Sequence, residues 1–361
     1  MAFHTSRPLS ENSLMRLPRM NQRRRSSLGA LVAIALALGL AACGDSEGDT
    51  TADGSNTVPL RLNFPWYASD HAWFATGMEE GIYADAGITL KAEEGTGGAT
   101  VLKLVASGSD PIGLVDAGSV IKGTAAGLPV TSVGCLNQRN PMAVIVKADS
   151  PVQTIEDLKG KTIAVGPGDV NAVLWPAVLQ TNGMKPDDTS FVQTADASSK
   201  TSTMLSGKAD AFLGFWTLQP FVIENAMDTK VRSLKYSDNG VDALGLCIVV
   251  NDKWAKSNSA VLKKFLAATQ ESIAFAVKDP EAAAADYVKV VDTGDKTIAL
   301  GQIQASTDLL HSAATEGQPY LVQDAADWEA TSKLMTEYGD VEAPDDAPEA
   351  YFSNDYLETA K

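Results

Sequence analysis

Residues 105–116, VASGSDPIGLVD, and residues 204–216, MLSGKADAFLGFW, repeat one pattern. In each, a helical run ends in Ser-Gly, an Asp follows, and an apolar run closes the stretch. Asp110 precedes Asp116 by six residues, and Asp210 precedes Trp216 by six. Gly108 and Gly207 stand where left-handed backbone ends a helix at little cost. The repeat predicts two similar α/β lobes with Asp116 and Trp216 at equivalent strand ends. Open α/β sheets bind ligands beyond the carboxyl ends of their strands. Both residues are therefore candidate ligand contacts.

Working outward, strand-like runs cover residues 58–64, 89–92, 112–115, 130–136, 143–147, 162–165, 211–215, 231–234 and 244–250. Helical patterns cover 72–81, 99–107, 172–181 and 200–206. Such alternation implies mostly parallel sheets flanked by helices. From Ser259 onward the chain reads almost wholly helical; AVLKKFLAATQESIAFAVK shows a clear 3.6-residue apolar period. Pro280 suits the first turn of the helix after it.

The N-terminal part reads as an export segment. Arg23, Arg24 and Arg25 precede the apolar run LGALVAIALAL, which ends in Leu40-Ala41-Ala42-Cys43. The run is of signal-peptide length and short for a membrane span. The pattern resembles a bacterial lipobox, implying a signal peptide over residues 1–42 and a lipid on Cys43. Residues 43–57 are small, polar and acidic, and are expected to form a flexible tether. Removing residues 1–42 takes away six arginines and one glutamate, so the net charge of −16 becomes −21. That charge argues against nucleic acid or an anionic membrane surface as partner. Cys135 and Cys247 then remain; in an oxidising compartment they can pair across a long loop, with two free thiols as the alternative.

Lipobox, acidic tether and duplicated lobes together resemble an ABC-transporter substrate-binding lipoprotein of the type II periplasmic-binding fold. DHAWFATGMEEGIYADAGITL, EGTGGATVLKLVASGSDPIGLVDAG, IEDLKGKTIAVGPG and LGLCIVVND carry the resemblance. They are similar to the branch of thiamine-pyrimidine-precursor, alkanesulfonate and taurine receptors. Asp70-His71-Ala72 resembles the pyrimidine-precursor members, which usually carry Trp-x-Pro-Asn before it, whereas here Phe64-Pro65-Trp66-Tyr67 stands there. The resemblance implies a two-lobe α/β fold: residues 58–142 and 245–361 in lobe 1, 143–244 in lobe 2, and two crossover strands as hinge. It further implies an extracytoplasmic, lipid-anchored monomer that passes a small ligand to a membrane permease, with no catalytic residues and no cofactor.

PWYASDHAWF, residues 65–74, follows the first strand and opens a helix. Asp70 is the expected helix N-cap. Trp66, Tyr67 and His71 are expected to face the ligand, since aromatic faces give a flat molecule much contact at small entropic cost. Gly97 and Gly98 open the next helix, whose amides and positive end suit an acceptor. In lobe 2, Gly168, Asp169 and Trp175 of the equivalent opening GPGDVNAVLW are expected ligand contacts, and Trp216 is expected to stack opposite Trp66 or Tyr67. Asn140, at the outgoing crossover, and Asp70 are further expected ligand contacts. No histidine partner accompanies His71, so a metal site is not expected. Arg139 is the one obvious cation near this set. Acids, amides and aromatics therefore favour a flat, neutral or amino-bearing, pyrimidine-like ring. A sulfonate or aromatic carboxylate is the alternative, disfavoured because such anions usually recruit Arg or Lys. A synthase of the fungal pyrimidine type is disfavoured by the absence of its cysteine-rich run. A ligand-free interaction lipoprotein is the third possibility.

Overall fold

The computed structural model describes residues 56–166, 169–195, 197–342 and 348–357. The expected export segment, Cys43, nearly all of the tether and Gly168 lie outside the described residues. Among those described, no helix is long and apolar enough to cross a membrane.

Two five-stranded sheets organise the chain. The first contains β1 (Asn56–Arg61), β2 (Ile88–Glu93), β3 (Ile112–Asp116), β4 (Val130–Cys135) and β10 (Leu246–Asn251). The second contains β5 (Met142–Lys147), β6 (Thr162–Val165), β7 (Ser190–Gln193), β8 (Ala211–Phe215) and β9 (Val231–Lys235). Their strand orders are β2-β1-β3-β10-β4 and β7-β6-β8-β5-β9. The two orders superpose position by position. In each, the fourth place is taken by the strand that has just crossed from the other lobe, and that strand runs antiparallel to its neighbours. Gly108 and Gly207 adopt φ of 76° and 75°, so the repeated Ser-Gly does end two helices with left-handed backbone.

The helices of lobe 1 are α1 (Ala68–Glu79), α2 (Ile82–Asp85), α3 (Gly98–Ser107) and α4 (Ala117–Ala125). Those of lobe 2 are α5 (Val170–Thr181), α6 (Ala197–Leu205) and α7 (Gln219–Met227). After β10 come α8 (Asp252–Ser257), α9 (Ser259–Lys278), α10 (Pro280–Val290), α11 (Lys296–Ser306) and α12 (Ala325–Tyr338). The C-terminal region is less helical than its sequence suggests. Between α11 and α12 the chain runs through one short 3-10 turn and an irregular segment with Leu321 at φ 70°.

α9, α10 and α11 pack around α1. Enclosed between them and the sheet, α1 buries ten successive residues, Ala68 to Gly77. That explains why Trp73 and Phe74 are fully buried in the lobe 1 core with Tyr83 and Phe265. A strand the sequence does not announce is β7, four residues long and largely exposed, because an edge strand carries little apolar signal. The lobes join through residues 136–141 and 236–245. These segments bond to each other: Gly245 N–H donates to Asn137 O at 2.8 Å and Asn140 N–H to Asp242 Oδ1 at 2.8 Å. Cys135 and Cys247, in register on β4 and β10, form a disulfide.

Candidate functional site

The carboxyl ends of β1, β2, β3 and β4 in lobe 1 and of β6, β8 and β9 in lobe 2 gather the side chains the sequence singles out. In lobe 1 the loop after β1 carries Asn63, Phe64, Trp66 and Tyr67 into α1. Tyr67, not Asp70, stands at the N-cap of α1, and no side chain caps it. Asp70 lies within the first turn, as the third residue of the helix, and is 8 % exposed, so the capping expectation is corrected.

His71 is fully buried. Its Nδ1 accepts the Tyr67 N–H at 3.3 Å, which leaves Nε2–H to donate to Asn63 Oδ1 at 2.8 Å. Burial holds its pKa down to about 3, so the ring is neutral. With both nitrogens engaged by the protein, His71 positions Tyr67 and Asn63 rather than reaching a ligand. Asn63 Nδ2 donates to the Tyr67 hydroxyl at 2.9 Å. The Tyr67 hydroxyl also bonds Asp70, whose Oδ1 accepts from Asn137 Nδ2 at 3.0 Å. Desolvation pushes the Asp70 carboxyl above its ordinary pKa, and no cation pairs with it among the described residues. Asn137, in the outgoing crossover, is 2 % exposed, and its Oδ1 has no partner among the described residues.

The other lobe 1 candidates are engaged structurally. Asp116 caps α4, accepting from Ser119 N at 2.8 Å and Ser119 Oγ at 2.8 Å. Gly97, at φ 120°, is the N-cap of α3, a backbone that side-chain-bearing residues rarely adopt. A Cβ on Gly98 would lie 2.7 Å from Asp116 Oδ2, so the carboxylate already faces the start of α3. That weakens the expectation that this helix end attracts an acceptor. Trp66 is half-buried, its ring edge-on to His71 at 5.7 Å. Phe64 is 47 % exposed beside Gly97 and is an aromatic the sequence reading passed over.

In lobe 2, Asp169 caps α5 and is ion-paired with Lys200 of α6 at 2.5 Å, their side chains 5 % and 7 % exposed. Lys200 also donates to Leu213 O at 2.7 Å. Asn171 Nδ2 donates to the other Asp169 oxygen at 2.8 Å. Trp175 is corrected: it is 2 % exposed, packs on Tyr236 in the lobe 2 core and donates its indole N–H to Thr189. Asn140 is corrected too, being 1 % exposed and spent on Met142 N and Val241 O within the crossover. Trp216 is half-buried; its indole N–H donates to Asn140 O at 3.4 Å, and Lys235 Nζ sits 3.5 Å from its ring centroid. Arg139 pairs with Asp242 at the surface. Lys200 and Lys235 are therefore cations near the site that sequence order hides.

The lobes touch outside the crossovers. Gln302 of α11 accepts the Ala68 N–H at 3.1 Å and donates to Leu218 O of lobe 2 at 3.3 Å. Gly301 lies against Phe221 of α7. On the other flank Tyr338 of α12 donates to Gln180 of α5 at 2.6 Å. Among the described residues no group of three His, Cys, Asp or Glu could hold a metal ion.

Comparison with known proteins gives this arrangement a lineage. The profile of a family described as NMT1/THI5 like matches residues 68–283. The chain belongs to that family. It is 22 % identical to the formylaminopyrimidine-binding protein of Halalkalibacterium halodurans over 328 residues, 89 % of this chain and 97 % of the relative. It is 26 % identical to a 4-amino-5-hydroxymethyl-2-methylpyrimidine phosphate synthase of Saccharomyces cerevisiae over 58 % of this chain, a match that spans 64 % of the synthase's length. Among solved structures, the periplasmic aliphatic sulphonate binding protein SsuA of Escherichia coli superposes with a TM-score of 0.63 at 17 % identity, covering 82 % of this chain and 92 % of its own. The fold of this NMT1/THI5-like chain is thus the two-lobe periplasmic-binding fold.

Proposed function

We propose that this NMT1/THI5-like protein is a solute receptor of an ABC importer, holding a small, planar, pyrimidine-like heterocycle between its lobes and presenting it to a membrane permease. The observation that carries the reading is the match to a bacterial formylaminopyrimidine-binding protein along nearly the whole of both chains. The strand-end side chains support it. Phe64, Trp66, Tyr67 and Trp216 offer flat apolar faces, and Asp70 and Asn137 offer acceptors. Turnover is not part of the reading: the synthase match covers less of both chains, and the buried, doubly bonded His71 has no free nitrogen for proton transfer. Export, lipid attachment at Cys43 and action as a monomer outside the cytoplasm complete the proposal. Asp116, Gly97, Gly98 and Asp169 contribute by shaping the strand ends.

Thermal-shift screening of the purified protein tests this, with 4-amino-5-hydroxymethyl-2-methylpyrimidine, benzoate and aliphatic sulfonates as probes. We expect stabilisation by the pyrimidine, loss of at least tenfold in affinity in Trp66→Ala and Trp216→Ala, and no conversion of the bound compound. Stabilisation by sulfonates alone would replace the ligand class. Unchanged affinity in both variants would move the site.

A further inference from the structure

We infer that the ligand is an amino-bearing heteroaromatic acid, its N–H edge held by Asp70 and Asn137 in lobe 1 and its acidic substituent by Lys235 in lobe 2. The inference rests on the receptor reading and narrows its ligand class.

Lobe 1 supplies one acceptor that lacks a donor, Asn137 Oδ1, beside an acid that lacks a cation among the described residues. Asn137 is 2 % exposed, gives its N–H to Asp70, and leaves its own carbonyl oxygen without a partner among the described residues. A buried amide oxygen in that condition is costly, and a ligand donor relieves it. Asp70 stands beside it with, among the described residues, only Asn137 and Tyr67 as partners and no cation. Two neighbouring acceptors call for two N–H groups, as an amino group or an amino group and ring N–H provide.

Lobe 2 supplies the opposite. Lys235 is the last residue of β9, in register with Ala143 at the end of β5 that adjoins the crossover. Its ammonium rests on the face of Trp216, and the indole N–H of that ring is tied to Asn140 in the same crossover. Among the described residues no hydrogen bond or ion pair engages Lys235 Nζ. A ring face attracts an ammonium without satisfying its three donors. A carboxylate arriving with the ligand becomes their acceptor, while the ring gains contact with Trp216. A neutral pyrimidine leaves Lys235 unanswered, and a plain sulfonate leaves Asp70 and Asn137 unanswered.

Calorimetric titration of the whole protein with two matched probes tests this: 4-amino-2-methylpyrimidine-5-carboxylate and 4-amino-5-hydroxymethyl-2-methylpyrimidine. We expect the carboxylate to bind roughly tenfold tighter or better, as a charge-assisted pair would give. Lys235→Met should bring the ratio of the two affinities to about one, whatever it does to both together; Lys235→Arg should restore much of the ratio. Equal affinity of the two probes for the wild type, or an advantage that survives in Lys235→Met, overturns the inference while the receptor reading stands. Binding of neither probe overturns the pyrimidine reading and this inference with it.

Discussion

Asp70 in lobe 1 and Asp169 in lobe 2 both belong to the start of the helix that follows the strand in the second place of their sheet, β1 and β6, yet they are kept there differently. Asp169 caps its helix and is neutralised by Lys200, both nearly excluded from water. Asp70 sits inside its helix, held by Asn137 and Tyr67, with desolvation working against its charge. The lobe 2 acid is closed off by its own lysine. The lobe 1 acid lacks a counter-charge among the described residues, and on that difference rests the proposal that lobe 1 recognises ligand donors. A duplicated scaffold thus places two similar groups, and the neighbours decide which one is available to a ligand.

Breaking the closed pair gives the largest expected effect. Lys200→Met strands a buried carboxylate, and we expect a loss of about 3–5 kcal/mol in urea-denaturation stability. A loss under about 1 kcal/mol would mean that water reaches Asp169. His71 sharpens the lobe 1 side. Its pKa is about 3 in the fold against about 6.5 for a free imidazole side chain, so the unfolded chain binds the proton more readily. Stability contributed by the neutral ring is complete above pH 6.5 and falls as pH drops from there towards 3. Between pH 7 and pH 5 the wild type should lose about 2 kcal/mol more than His71→Gln. Asp70, with its raised pKa, acts in the opposite direction, gaining stability as pH falls through that value; it is present in both proteins and cancels in the difference. The smallest effect is expected for Asp70→Asn, since removing an unpaired, desolvated charge is neutral or mildly stabilising. Loss of several kcal/mol in that variant would show that Asp70 has a counter-charge after all.

Much of the fold was legible in the sequence because the two Ser-Gly-x-[Ala]-Asp strand entries impose the same local geometry twice, ending in Gly108 and Gly207 with positive φ. The candidate site was less so. The aromatic stretch 65–74 mixes two environments: Trp66 and Tyr67 stay at the loop, whereas Trp73 and Phe74 vanish into the core because three C-terminal helices enclose α1. Trp175 shares their fate on the inner side of α5. Lys200, Lys235 and Asn137 come from elements far apart in the chain, and no local spacing signals a partner across a sheet. Phe64 was overlooked as the tail of a strand that in fact ends at Arg61, three residues earlier.

The disulfide between Cys135 and Cys247 stands at the base of both crossover segments, one cysteine just before the chain leaves lobe 1 and the other just after it returns. Lobe 2 is therefore a covalently closed ring hanging from lobe 1. A single proteolytic cut anywhere in that ring leaves every residue attached to the molecule. Tension applied along the chain between residues on either side of lobe 2 passes from β4 to β10 through the sulfurs and bypasses lobe 2. The oxidised protein pulled from its two ends would thus extend by a length that excludes the whole of residues 136–246, and reduction would release that hidden length.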